Sequence, residues 1–189
     1  MTKFSLWLAA GTNNVLPAGD PYAHHIFMRC LFHAKHDDTI KFDVKTTKIT
    51  KTSDEFKATG LRRMPGIFVV EESGETQTFE TEDEILDFLE YLKPSRGDDE
   101  EAENATCDLF RQFARFVKDV EHSDTHLKNY EIPSELSHVL DYLKAGYDTE
   151  MFRLSCPSDQ EIIIHWTELK DTPNLSAKDR AKLVRDEPP

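Results

Sequence analysis

At 189 residues the chain is long enough for one ordinary domain or two small ones, and for burial of roughly 70% of its unfolded surface. Its 23 Lys+Arg against 36 Asp+Glu leave a net charge of -13, which argues against a DNA or RNA reader, since those need a basic stripe to displace counterions from phosphate. Twelve Phe, five Tyr and two Trp are too many large apolar groups for a disordered chain.

Cys30, Cys107 and Cys156 are odd in number and far apart. They suggest neither a disulfide framework nor a zinc site and fit a reducing compartment such as the cytoplasm. No run of about 18 apolar residues occurs, so no constitutive membrane span is expected. A membrane role then requires refolding or surface attachment.

In chain order, Lys3 to Ala10 is apolar and aromatic and reads as a buried strand, with a Gly, Asn and Pro loop from Gly11 to Gly19. Asp20 is a preferred N-cap and Pro21 is preformed for the first helical position, so a helix is expected from Pro21 to about Lys35. Ile26, Phe27, Cys30, Leu31 and Ala34 form its apolar stripe, and its far end from His33 to Asp38 is polar. Ile40, Phe42 and Val44 alternate with charged residues as a half-buried strand, and Ser53 opens a short helix that Gly60 ends. Ile67 to Val70 and Thr76 to Phe79 flank a turn as a hairpin. Thr81 and Glu84 form a capping box ahead of the apolar face Ile85, Leu86, Phe88, Leu89 and Leu92. The order is βαβ, α, ββ, α.

Residues 94 to 106 form an acidic linker between a first domain, 1 to 93, and a helical second domain, 107 to 189. Leu109 to Val120 and Leu136 to Tyr147 carry helical apolar spacing. Ser158 with Glu161 is a second capping box, and Ser176 with Asp179 opens a last helix. His24, His25, His33 and His36 cluster on and after the first helix. They are too few in fixed geometry for a metal site, and read better as a surface that gains charge near pH 6 and is then drawn to anionic lipid. No nucleotide-binding, zinc-protease or serine-hydrolase motif is present.

The element order, with Pro65 opening a strand, is that of a thioredoxin-like domain followed by the all-helical domain of glutathione transferases. Asp20-Pro21-Tyr22-Ala23-His24-His25-Ile26-Phe27-Met28 resembles the Cys-Pro-Phe-Cys-Gln-Arg-Leu-Phe-Met segment of chloride intracellular channel proteins. Ile85 to Glu90, Cys107 to Phe113 and Ser155 to Ile162 are similar to that family's Ile-Glu-Glu-Phe-Leu-Glu, Asp-Ile-Phe-Ala-Lys-Phe and Thr-Cys-Pro-Asp-Asp-Glu-Glu-Ile. The whole looks most like the nematode-type branch.

The resemblance implies a soluble protein that associates with membranes and is linked to chloride channel activity. It also implies a glutathione-like groove at Asp20, Pro21, Tyr22, Met64, Pro65, Thr81 and Glu82. The membrane-inserting segment would match Pro21 to Val44, with Pro21, Phe27, Met28, Leu31, Ile40, Phe42 and Val44 as its apolar residues.

Two departures from the family pattern stand out. The family's reactive cysteine is matched by Asp20 and its second cysteine by Ala23, so no catalytic residue is assigned and glutathione is not expected as a cofactor. A block of the helical domain is missing after about residue 126, which implies exposed apolar surface and points to a homo-oligomer or membrane adhesion. Two rivals stay open, a non-catalytic adaptor at membranes and a glutathione-dependent oxidoreductase or transferase that uses Cys30 or an activating Tyr22.

Overall fold

The computed structural model describes residues 2–71, 73–92, 145, 147–168 and 176–178. The expected linker at 94–106, the helix at 109–120, nearly all of that at 136–147, and the shortening after residue 126 lie outside the described residues. The elements are β1 (Thr2–Ala9), α1 (Pro21–His36), β2 (Ile40–Thr47), α2 (Asp54–Thr59), β3 (Gly66–Val70), β4 (Thr76–Phe79), α3 (Glu82–Leu92), α4 (Glu150–Ser155) and α5 (Asp159–Glu168). The four strands form one sheet in the order β2-β1-β3-β4. β1 runs parallel to β2 and antiparallel to β3, and β3 pairs antiparallel with β4. This is the expected thioredoxin-like order.

β1 lies between β2 and β3, with one face apolar from Phe4 through Leu8 and the other carrying Lys3 and Ser5 beside a buried Trp7. Phe4, Leu6 and Leu8 point into a core shared with Ala23, Ile26 and Cys30 of α1 and with Ile85 and Leu89 of α3. Trp7 points the other way, into a smaller cluster with Phe56 and Leu61. Stacking of Phe4 on Phe42 and edge contact with Phe88, both at 5.4 Å between centroids, tie β2 and α3 to the same strand.

The caps hold where the sequence placed them. Asp20 accepts from the Tyr22 N–H at 3.0 Å, and Ser53 Oγ accepts from the Phe56 N–H at 3.2 Å. Gly60 closes α2 at φ 83°, which a side chain would strain. The Thr81 hydroxyl accepts from the Glu84 N–H at 3.3 Å, and the Glu84 carboxylate accepts from the N–H groups of Thr81 and Glu80 at 3.0 and 3.1 Å. Those bonds favour the charged form and hold the Glu84 carboxyl below the ordinary glutamate range.

Three expectations need correction. The fully buried face of α1 is Ala23, Ile26, Cys30 and His33, while Phe27 and Ala34 pack on its edges and Leu31 is half-buried. A 3-4-3 spacing therefore carries the buried face past the expected polar boundary at His33. Val44 is exposed, because β2 is an edge strand. The second capping box is only half formed: Ser158 Oγ accepts from the Glu161 N–H at 3.4 Å, but the Glu161 side chain turns elsewhere.

It reaches the β1–α1 loop. The buried Glu161 carboxylate accepts from the Thr12 N–H at 2.7 Å and from the Thr12 hydroxyl. The loop is closed by Ala18 N–H to Ala9 C=O and Gly11 N–H to Leu16 C=O, both at 2.8 Å, and by Asn13 Oδ1, which accepts from the Val15 and Leu16 N–H groups at 2.9 and 2.8 Å. Gly11 and Gly19 allow the approach, since a Cβ at Gly11 would overlap the Glu161 carboxylate and one at Gly19 the Glu161 backbone.

Gly19→Ala and Glu161→Ala should therefore each lower unfolding stability by roughly 1–3 kcal/mol, through backbone overlap and lost charge-assisted bonds respectively. Urea denaturation of the full chain checks this, and Gly74→Ala, in a turn where nothing lies near an added Cβ, should act only through its own φ of 87°.

Candidate functional site at the start of the first helix

The N-terminal turn of a 16-residue helix presents free N–H groups and the positive end of the helix dipole, a ready place for an anion or a thiolate. In this chain Asp20 fills it with its own carboxylate. Pro21 is the first residue of α1, and Ala23, where a second thiol would stand, is buried in the core. The first turn of α1 thus contains no sulfur.

Tyr22 packs against the main core, and its buried hydroxyl finds no hydrogen-bond partner among the described residues. Burial pushes its pKa up to about 12, helped by Glu82, Asp20 and Asp83. Three carboxylates from the starts of α1 and α3 therefore face one phenol, and the local potential is negative. A phenol held this firmly protonated is a hydrogen-bond donor rather than a base.

Of the other groove residues, Met64 and Pro65 join through a cis peptide bond, and Pro65 is buried. Met64 packs with Trp7, Phe56 and Leu61, in the smaller cluster. Thr81 and Glu82 are exposed, and the hydroxyl and N–H of Thr81 are committed to its capping box. The structure thus brings Asp20, Tyr22 and Glu82 into electrostatic range, and commits Met64 and Thr81 to packing and capping. A concavity of about 630 Å³ lies elsewhere, lined by Val70, Glu71 and Gln77 of the hairpin and Glu84, Asp87 and Tyr91 of α3. No local pattern signals it, since it depends on how α3 lies over the hairpin.

The histidines do not make one titrating surface. His33 is buried. His36 Nδ1 lies 2.8 Å from the Phe32 carbonyl oxygen. His24 sits edge-on to Phe152 of α4 at 5.1 Å. Burial, then His25, lowers the His24 pKa; burial, then Arg29, lowers that of His25 against an opposing pull from Glu82. Among the described residues no group of three or more His, Cys, Asp or Glu is placed to hold a metal. The Cys30 thiol is pushed up to about 12 by burial, so it is not a nucleophile in this fold.

Three of the seven residues named for the expected membrane segment belong to the main core here. Ile40 is fully buried, and Phe27 and Phe42 pack on the main core. Pro21, Met28 and Leu31 are half-buried, and Val44 is exposed. No helix among the described residues is long and apolar enough to cross a membrane.

No protein-family model matches the chain. The curated chloride intracellular channel exl-1 of Caenorhabditis elegans is 68% identical over 233 aligned residues, which take in 100% of this chain and 98% of that protein. Against the 189 residues here, that alignment contains 44 positions at which this chain has no residue, in keeping with the internal shortening read from the sequence. Among solved structures, the CLIC homologue EXC-4 of C. elegans superposes with a TM-score of 0.76 at 18% identity, covering 100% of this chain and 87% of that one. The dehydroascorbate reductase of Chlamydomonas reinhardtii does so with a TM-score of 0.55 at 12% identity, covering 86% and 96%. At these identities the two structures establish a shared fold.

Two outcomes are expected. Asp20→Cys should place a thiol on the free N–H groups of α1 and form a thiolate below the free-cysteine value of about 8.5. The pH dependence of iodoacetamide alkylation, read by peptide mass, checks this, with native Cys30 staying unmodified. Because the folded pKa of His24 lies below its unfolded value, the unfolded chain binds the extra proton. Stability should be fully present above about pH 6.5 and fall as pH drops below it. His24→Asn should flatten that fall in urea titrations above pH 5, where most carboxylates have yet to protonate.

Proposed function

The chain belongs to the chloride intracellular channel family, and on that premise we propose that it works as a membrane-associating member that has no thiol-transfer activity. The observation that carries this is Asp20, whose carboxylate accepts from the Tyr22 N–H at 3.0 Å where transfer chemistry would need a thiolate. Glutathione brings carboxylates of its own, and Asp20, Glu82 and Asp83 around Tyr22 oppose them. Turnover with glutathione is therefore not expected, and the protein resides in the cytoplasm with reversible attachment to anionic membranes.

Chloride conduction in this reading belongs to a rearranged form. Ala23, Ile26, Cys30 and Ile40 hold α1 and β2 in the main core, so a spanning arrangement has to dismantle that core first. The same segment carries Arg29, Lys35 and Lys41, each costing about 2.5–3.5 kcal/mol near the bilayer centre unless it lines a pore. Attachment in the folded state needs neither change. The adaptor reading draws on this cost, since docking alone leaves the core intact.

Flotation and chloride efflux, measured on the same vesicles of equimolar phosphatidylcholine and phosphatidylserine, test the proposal. Flotation without efflux is expected at neutral pH. Efflux confined to mildly acidic pH, and lost on scrambling of Pro21 to His36, would place conduction in the rearranged form. Binding without efflux at either pH would assign the adaptor role, and absence of binding would remove the membrane reading. Glutathione-dependent turnover would overturn the loss of thiol chemistry.

A further inference from the structure

The end of the sheet at which β1 and β2 finish carries two loops bound to each other. The Ala10 N–H donates to the Thr47 carbonyl oxygen at 2.9 Å, and the Thr46 hydroxyl donates to the Val15 carbonyl oxygen at 2.8 Å. The Ser53 N–H donates to Thr47 Oγ1 at 2.8 Å, which folds residues 48–53 back onto the same end. Each loop holds a branched aliphatic side chain out into solvent: Val15 is 70% exposed and Ile49 73%. Leu16, beside Val15, is also exposed.

The charge at this end is opposite to that of the whole protein. From Val44 to Lys51, the part of the chain at this end, there are three lysines and no carboxylate, within a molecule of net charge -13. The carboxylates that follow are engaged, Glu55 with Lys45 and Asp54 with Lys57. Lys48 and Lys51 are exposed and form no ion pair among the described residues. From Gly11 to Gly19 the facing loop has no charged residue at all, so no carboxylate of that loop opposes the two lysines.

We infer that this end of the sheet is a docking surface for anionic lipid, with Val15 and Ile49 entering the interface between headgroups and chains and Lys48 and Lys51 facing the phosphates and carboxylates. The inference rests on the membrane-associating reading above and names the surface that serves it. A lipid surface suits these residues better than a protein partner. Protein interfaces are depleted in lysine and gather their apolar groups in a continuous centre, whereas here separate aliphatic side chains stand beside lysines, as in interfacial anchors. The loops are also pre-ordered by the Asn13 and Glu161 bonds, so docking need not order them first.

The test uses the full chain and flotation with vesicles of equimolar phosphatidylcholine and phosphatidylserine, against phosphatidylcholine alone, at neutral pH. The wild type should bind only the anionic vesicles, less so as salt rises. Lys48→Gln with Lys51→Gln should weaken binding about 30-fold, at about fivefold per lysine, and Val15→Ser with Ile49→Ser should weaken it about tenfold or more. Arg62→Gln with Arg63→Gln makes the same change of charge at a corner without exposed aliphatic side chains and should cost less than about threefold.

All four target positions are exposed, so unchanged thermal midpoints are expected; should a double variant unfold, Lys51→Gln and Ile49→Ser alone carry the comparison. Wild-type binding that both double variants retain would overturn this surface while leaving the membrane reading intact, and would leave the surface to a protein partner or to none. An equal loss on changing Arg62 and Arg63 would also overturn it, as would equal binding to uncharged vesicles. A wild type that binds neither vesicle overturns both the surface and the reading beneath it.

Discussion

The carboxylate of Glu161, buried and bonded to Thr12, is the contact through which distant parts of the chain fix one loop. A buried carboxylate survives desolvation only where donors meet it, and the backbone N–H and hydroxyl of Thr12 do so together. Gly11 and Gly19 leave the space that this contact needs. Once the loop is held, Asp20 is delivered to the start of α1 at one end and Val15 is carried beside Thr46 along the way. The chemistry at the helix start and the exposed aliphatic tip are two results of one anchored loop.

That anchoring keeps the architecture in place whichever negative group caps the start of α1. A helix start rewards any negative charge brought to its free N–H groups. A thiolate and a capping carboxylate satisfy the same donors, so α1 forms equally well with Asp20, but only the thiolate is a nucleophile that exchanges with disulfides. Tyr22 is kept protonated by burial and by Glu82, Asp20 and Asp83, and Cys30 is sealed in the core. The fold needs only the charge at the helix start, whereas thiol transfer would also need the sulfur.

Local rules made much of the first 92 residues legible. Asp20-Pro21, Ser53 with Gly60, and Thr81 with Glu84 are caps whose bonds lie within a few residues, and alternation in β2 and the apolar character of β1 follow from edge and central positions in the sheet. Beyond the edge position of Val44, what local rules misread turns on partnership over long sequence distance. Glu161 sits at the position that a capping box would use, yet its partner Thr12 is 149 residues away, and no local pattern records that choice. His33 looks like the first residue of a polar helix end and is instead buried. The packing of Met64 with Trp7 and Phe56 is likewise a long-range choice that spacing alone does not encode.

Net charge is a poor guide to where such a protein meets a membrane. A chain of net charge -13 is repelled on average by an anionic surface, but at physiological ionic strength charges more than about 8 Å away are largely screened. What a headgroup feels is then the nearest few side chains and their local partners. Glu55 pairs with Lys45 and Asp54 with Lys57, so in the proposed docking the end of the sheet that carries Lys48 and Lys51 would act as a small cation on a large anion. The distant carboxylates still act, by turning the molecule: an asymmetric charge aligns it so that its basic end approaches first. At the proposed docking surface, orientation and attachment would follow from the same distribution and would leave the core that holds α1 and β2 together intact.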